Sequence, residues 1–297
     1  MDAETRARYE AWMWKKIFRR LIVPGALLLV VLIALISGLR SCGSSSNDGE
    51  ESEGRSYSSE TESSSELDAP TDQSVASRQP TYQDFDFSIY DEDAIVEIEA
   101  SWLNSYAVLV NKVFRLPEDF SPVDLDVPQV LAVWSHPNEV LRMRETAARA
   151  LEEMFEEALE DEGLELWVVS GYRSFEGQGT KHQGFIDTYG REEAENMSAR
   201  PGHSEHQTGL AIDISSASVG ALLTEDFGAV PEGIWLRENA HYFGFIVRYP
   251  AGRQSLTGVN YEPWHLRYVG VEAATYIFEN DIVLEQYIFP IPRWDQP

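Results

Sequence analysis

Apolar positions along this chain follow two clear periods, and in one long stretch they nearly vanish. Ala147, Ala148, Leu151, Met154, Phe155, Ala158 and Leu159 recur at helical spacing, with Gly163 after them as a stop. This spacing predicts a helix from about Leu141 to Leu159. LELWVVSG, just downstream, reads as a buried strand. In TGLAIDIS the period is two: Leu210, Ile212 and Ile214 share one face, and Ala211, Asp213 and Ser215 share the other. A second helix is predicted around Trp235 to Tyr242, GFIVRYP follows as a strand, and a last helix is predicted from Val271 to Asn280. Helices and strands mix without a regular βαβ rhythm, and there is no Gly-rich phosphate loop. The fold class expected is α+β, a small antiparallel sheet flanked by helices.

The N-terminal third has a different pattern. Leu21 to Leu39 carries no charge, and Lys15, Lys16, Arg19 and Arg20 stand just before it. The run is long enough for one membrane span, and the basic flank sets that side as cytoplasmic. A cleaved signal peptide is the alternative, but the run is longer than a usual apolar core of one and no small-residue cleavage site follows. From Gly43 to about Gln79 the residues are mostly Ser, Glu, Asp and Gly, with almost nothing apolar to bury, which predicts a disordered tether. The organisation expected is a basic cytoplasmic segment at 1–20, a transmembrane helix at 21–39, an acidic linker at 40–100 and a single domain at 101–297. The boundary is placed near Ser101, within about ten residues either way.

Charge and cysteine content narrow the function. Fifty acidic residues against 23 basic ones give a net charge of −27. Nucleic-acid binding needs Lys/Arg patches facing phosphates, so a nucleic-acid partner is not expected. The only cysteine, Cys42, permits no disulfide within the chain. Arg40 precedes it where a lipoprotein signal would carry a small residue.

Candidate chemistry gathers in PGHSEHQTGLAIDIS, from Pro201 to Ser215. The aliphatic face of its strand wants the core, so Asp213 projects from the opposite face beside the small Ala211. A carboxylate buried there needs a cation or several donors. His206 is within reach through the turn at Thr208–Gly209. A catalytic zinc site takes three protein ligands and keeps one position open. The third ligand should be another histidine, from His136, His182, His203, His241 and His265. His265, in YEPWHLRYVG, is best placed, because Glu262 lies three residues before it and a hydrolytic zinc site needs such a proton carrier. His203 and Glu205 compete with His206, and spacing alone does not separate them. His241 reads as a helix residue under a strand, and His182 and His136 as loop residues.

SGYRS at Ser170–Ser174 with Gln178 after it, ARPGHSEHQTGLAIDIS, WLRENAHYFGFIVRYP and YEPWHLRYVG together resemble the VanY-type D-alanyl-D-alanine carboxypeptidases. These are zinc peptidases related to lysostaphin-type peptidases and to the Hedgehog domain. The similarity begins upstream at LVNKVFRLPEDFSPVDL and runs from about Ser101 to the C-terminus. It implies one Zn²⁺ ion on His206, Asp213 and His265, with Glu262 as general base and His203 and Glu205 outside the ligand set. It also implies that Arg173, Gln178, Ser204 and Tyr249 hold the peptide end, with Arg173 binding either the terminal carboxylate or the oxyanion of the tetrahedral intermediate.

The expected activity is removal of the terminal D-Ala from peptidoglycan stem peptides, at the outer face of a bacterial membrane. An L,D-carboxypeptidase trimming tetrapeptide stems would use the same ligands and base. A binding module that has lost catalysis would lack the base, and Glu262 is present. A serine enzyme of the penicillin-binding type needs S-x-x-K. None of Lys15, Lys16, Lys112 or Lys181 has a serine three residues before it, which excludes that motif.

Overall fold

The apolar stripe at 147–158 forms the long helix of the domain. In the computed structural model, which describes residues 86–289 apart from 88, 92, 94 and 134–137, this helix spans Glu145–Glu162. Ala147, Ala148, Leu151, Met154 and Ala158 are fully buried along it. Gly163 ends it at φ 68°, and the N–H groups of Gly163 and Leu164 return to the carbonyls of Leu159 and Ala158. The helix starts four residues later than its apolar pattern predicts. Asn138–Leu141 is a 3₁₀ turn instead, and Arg144 is held extended by a bond from its N–H to the carbonyl of Gly209.

The strands are β1 Val96–Glu97, β2 Phe114–Arg115, β3 Leu125–Asp126, β4 Met143–Arg144, β5 Trp167–Ser170, β6 Ala211–Ser215, β7 Phe245–Tyr249 and β8 Glu262–Tyr268. The helices are α1 Glu145–Glu162, α2 Phe175–Tyr189, α3 Arg191–Met197, α4 Pro231–Asn239, α5 Gln254–Thr257, α6 Val271–Glu279 and α7 Leu284–Ile288. β1 pairs with β2 in parallel and β3 with β4 antiparallel. The central sheet has the order β5-β6-β8-β7, and every pairing in it is antiparallel. The architecture is therefore the α+β arrangement expected.

The differences from the sequence reading have local causes. β8 was not anticipated as a strand, because Pro263 breaks its pattern. The chain admits that proline beside a register shift in the β7–β8 pairing, between Val247 and Tyr249. α2 was not anticipated either: Gly177, Gly179 and Gly184 dilute any apolar stripe. It is started by its cap, where the Ser174 hydroxyl accepts the N–H of Gly177. His182, read as a loop residue, sits inside this helix with Nδ1 3.0 Å from the carbonyl of Ser198.

The packed domain also begins upstream of the boundary placed near Ser101. Phe87 is buried in a core cluster with Leu109, Val113, Ile246, Ala274, Ile277 and Leu284. The N–H groups of Val96 and Ile98 bond to the carbonyls of Val113 and Arg115. The partners of this acidic stretch lie far along the chain, so no local pattern reveals them. The expected segments at 1–20 and 21–39, most of the linker, and His136 lie outside the described residues. Among the described residues no helix is long and apolar enough to cross a membrane.

His241 lies in the 3₁₀ turn after α4 and stacks on Phe278 of α6, with centroids 3.9 Å apart and planes at 6°. Among the described residues its buried Nδ1 has no partner, and burial holds its pKa down to about 4, against 6.5 for a free ring. Below pH 6.5 the unfolded chain takes up a proton that the folded state refuses, so stability falls with pH until the folded ring titrates. We expect the urea midpoint to drop between pH 6.5 and 4, and His241→Phe to flatten that limb. A midpoint profile unchanged by the substitution would reject the assignment.

Candidate metal centre

The sheet brings together residues far apart in sequence. In the register, Ser170 of β5 stands opposite Asp213 of β6, and Asp213 stands opposite His265 of β8. His206 arrives from the 3₁₀ turn Glu205–Thr208, which Gly209 closes at φ 67° just before β6. A Cβ at Gly209 would lie 2.8 Å from the Leu125 side chain, so position 209 is restricted by space as well as by backbone.

His206, Asp213 and His265 offer ligand atoms that all lie within 4.8 Å of one another, and all three side chains are buried. His206 Nε2 is 3.3 Å from Asp213 Oδ2, and His265 Nδ1 is 3.1 Å from Asp213 Oδ1. The outward nitrogen of each ring is held from behind. His206 Nδ1 is 2.7 Å from the carbonyl of Gly171, and His265 Nε2 is 3.4 Å from Glu205 Oε2. That arrangement points one lone pair of each ring at the centre, as metal-ligating histidines require. Two imidazoles, a carboxylate and room for a further ligand fit a catalytic zinc ion.

Titration follows the same geometry. Burial pushes His206 down to about 4. Burial alone would lower His265 too, but its bonds to Asp213 and Glu205 lift it to about 9. Asp213 lies well below the carboxylate range: burial opposes this, and His206 and His265 override it. A metal-free site at pH 7 therefore holds a proton on His265 that a metal must displace. Zinc uptake at pH 7 should release about one proton, and affinity should rise with pH toward 9. Calorimetric titration in two buffers of different ionisation enthalpy reads this directly; heats that do not depend on the buffer would contradict it.

Glu262 opens β8 and is half-buried, with Oε2 3.8 Å from His265 Nδ1. Burial raises its pKa to about 7, with His265 lowering it and Asp213 raising it. Arg173 donates to Gln178 Oε1 at 2.6 Å and to Ser170 Oγ at 3.1 Å, and its backbone N–H bonds to the carbonyl of His206. Ser204 is buried at the cleft wall, and Tyr249 packs its ring 4.9 Å from that of His265. All of these line one polar cleft of about 240 Å³ together with Lys181 and Trp264.

Gln178 lines the cleft and is bonded within the protein. It is 1% exposed, its carbonyl accepts from Arg173, and its NH₂ donates to Ser198 Oγ and the carbonyl of Ala199. Through its carbonyl it braces Arg173. His203 stands off the centre, with Nδ1 2.7 Å from the carbonyl of Asn111 and Tyr90 edge-on to its ring. Glu205 lies behind His265 and accepts from Arg248 Nε at 2.7 Å and Arg267 Nη1 at 2.6 Å. Arg248 also forks onto Glu285, at 2.6 and 2.9 Å. These four side chains are fully buried. The sequence reading missed the cluster, although an arginine inside each of the apolar runs FIVRY and HLRYV is a visible anomaly.

Known proteins resemble this chain in sequence and in fold. The VanY family, described as D-alanyl-D-alanine carboxypeptidase, matches residues 140–271. The putative carboxypeptidase YodJ of Bacillus subtilis is 44% identical over 185 residues, 62% of this chain and 67% of YodJ. This chain belongs to the VanY family. Among VanY-like structures, the LdcB LD-carboxypeptidase superposes with a TM-score of 0.63 at 40% identity, covering 69% of this chain and 99% of that one. A vancomycin-resistance D,D-pentapeptidase VanY with Zn(II) superposes with a TM-score of 0.51 at 33% identity, covering 62% of this chain and 98% of that one. The chain spans 52% and 44% of the length of two enterococcal D-alanyl-D-alanine carboxypeptidases that it also resembles. The VanY match encloses His206, Asp213, His265, Glu262 and Arg173. It stops short of Glu285, the outer member of the arginine cluster.

Proposed function

We propose that this protein is a zinc carboxypeptidase that removes the terminal D-alanine from peptidoglycan stem peptides, acting on pentapeptide stems. The observation that carries this reading is the buried His206–Asp213–His265 triad with Glu262 beside it at the floor of a polar cleft. His206, Asp213 and His265 would hold one zinc ion, which when bound would supply an acidified water and polarisation of the scissile carbonyl. Glu262, with its pKa near neutral, takes a proton from the attacking water and delivers it to the departing amine. Arg173, fixed by Gln178 and Ser170, brings positive charge to the carbonyl oxygen as it gains charge. Ser204 and Tyr249 shape the wall against which the peptide end lies. The span at 21–39 and the acidic linker after it would hold this cleft at the outer face of the cell membrane, within reach of stem peptides.

An L,D-carboxypeptidase acting on tetrapeptide stems is the second reading, favoured by the higher TM-score to LdcB. The same triad and base serve both. Zinc-loaded full-length protein should be given muropeptides with pentapeptide and tetrapeptide stems, and the products weighed. Loss of one alanine from the pentapeptide alone supports the first reading, and loss from the tetrapeptide alone the second. No change in either stem would turn attention to a binding role for the cleft.

A further inference from the structure

The segment upstream of the matched span reaches the cleft. Tyr90 lies fifty residues before the VanY match at 140–271, yet it lines the same cleft as the metal ligands. The chain is fixed on both sides of it. Before Tyr90, Phe87 is buried in the core cluster, with its ring 6.4 Å from that of Phe114. The Phe87 carbonyl abuts Gly258 so closely that a Cβ there would collide with it. After Tyr90, the N–H groups of Val96 and Ile98 bond to the carbonyls of Val113 and Arg115.

Between these anchors the Tyr90 hydroxyl accepts the backbone N–H of Arg200 at 3.0 Å. The Arg200 guanidinium lies over the Tyr90 ring, 4.1 Å from its centroid, and is itself tied to Glu195 at 2.6 Å. His203 meets the same ring edge-on, with centroids 5.2 Å apart. Burial pushes the phenol up to about 12, with Arg200 pulling the other way, so the hydroxyl stays neutral.

The backbone that Tyr90 pins is the backbone that holds Gln178. Residues 198–204 form neither helix nor strand, so contacts from other segments set where they lie. Gln178 donates to the carbonyl of Ala199 at 2.5 Å and to Ser198 Oγ at 3.2 Å. Its own carbonyl accepts from Arg173 Nη1 at 2.6 Å. A continuous path therefore runs from the Tyr90 hydroxyl through 198–200 and Gln178 to the Arg173 guanidinium.

We propose that Tyr90 is a positioning residue for the reaction: it pins Arg200, and through Ala199 and Gln178 it holds Arg173 in place for the scissile carbonyl. This assignment rests on the carboxypeptidase reading. It makes a segment outside the matched span part of the catalytic unit.

Tyr90→Phe removes the hydroxyl and keeps the ring under Arg200. The assay uses zinc-loaded full-length protein and a penta- or tetrapeptide stem, whichever wild type cleaves. The substitution should lower kcat by about three- to tenfold, the worth of one hydrogen bond. KM and zinc content should stay at wild-type values, because Arg173 acts on charge that develops only in the transition state. Gln178→Met cuts the path at its middle. Added to Gln178→Met, Tyr90→Phe should cost less than about twofold. The same loss in both backgrounds, no loss in wild type, or a loss confined to KM or to zinc content overturns the proposal. Nuclear magnetic resonance of the Gln178 side-chain amide reads the path without turnover, and its protons should exchange with solvent faster in Tyr90→Phe. If wild type releases no alanine from either stem, the carboxypeptidase reading has failed. Unchanged amide exchange would then reject the path as well, whereas faster exchange would keep the link from Tyr90 to Gln178.

Discussion

Glu262→Gln should keep its zinc and lose turnover by about 10²- to 10⁴-fold, the usual range for removal of a general acid–base. The amide has nearly the shape of the carboxylate but cannot carry the proton. Glu262 is not among the three groups that converge as ligands, so metal content should match wild type. Its raised pKa of about 7 comes first from burial, with Asp213 adding to it and His265 opposing. A base works only when deprotonated, so kcat/KM should climb as pH rises through this value and then level off. A bound cation pulls a neighbouring carboxyl down, which places the acid limb at or below about pH 7. The check is kcat by released D-alanine together with zinc by elemental analysis. A variant with full zinc and near-wild-type kcat would remove Glu262 from the mechanism.

Glu205→Gln should be the most destabilising single change around the site, and the one with the widest reach. Burial alone would raise the carboxyl of Glu205; Arg267 and Arg248 override it and keep the group ionised. Arg248 retains Glu285 after the substitution, but Arg267 keeps only the carbonyls of Tyr106, Val108 and Tyr268. Leaving a buried charge without its partner costs about 3–5 kcal/mol. The same change weakens the brace on His265 Nε2, and losing such a brace lowers metal affinity by about 10- to 100-fold. Urea unfolding of the metal-free protein reads the first effect, and competition with a chelator reads the second. If stability falls while zinc affinity holds, Glu205 serves the fold and not the centre.

The two effects separate because they travel by different atoms. Oε1 of Glu205 faces the arginines, and Oε2 faces His265. The cluster thus links β7, β8 and α7 to the orientation of one metal ligand. A substitution at Glu285, which meets Glu205 through Arg248 and also accepts from Asn111, should lower stability with a smaller effect on zinc.

Much of the site is legible in the sequence because its chemistry is local. The alternation in TGLAIDIS places Asp213 opposite three aliphatic residues, and in the structure Leu210, Ile212 and Ile214 are fully buried while Asp213 joins the centre. The spacing of Glu262 and His265 is likewise a local fact, as is the apolar stripe that becomes α1. Spacing alone did not separate His206 from His203 and Glu205, since all three lie within four residues. Tertiary contacts decide it: the carbonyl of Gly171 holds His206, that of Asn111 holds His203, and Arg248 and Arg267 claim Glu205. The same holds for Phe87, β8 and the NH₂ of Gln178, whose partners lie tens of residues away. Sequence periodicity reports which face of an element is apolar. Which polar group a neighbour has already satisfied is a property of the packed chain.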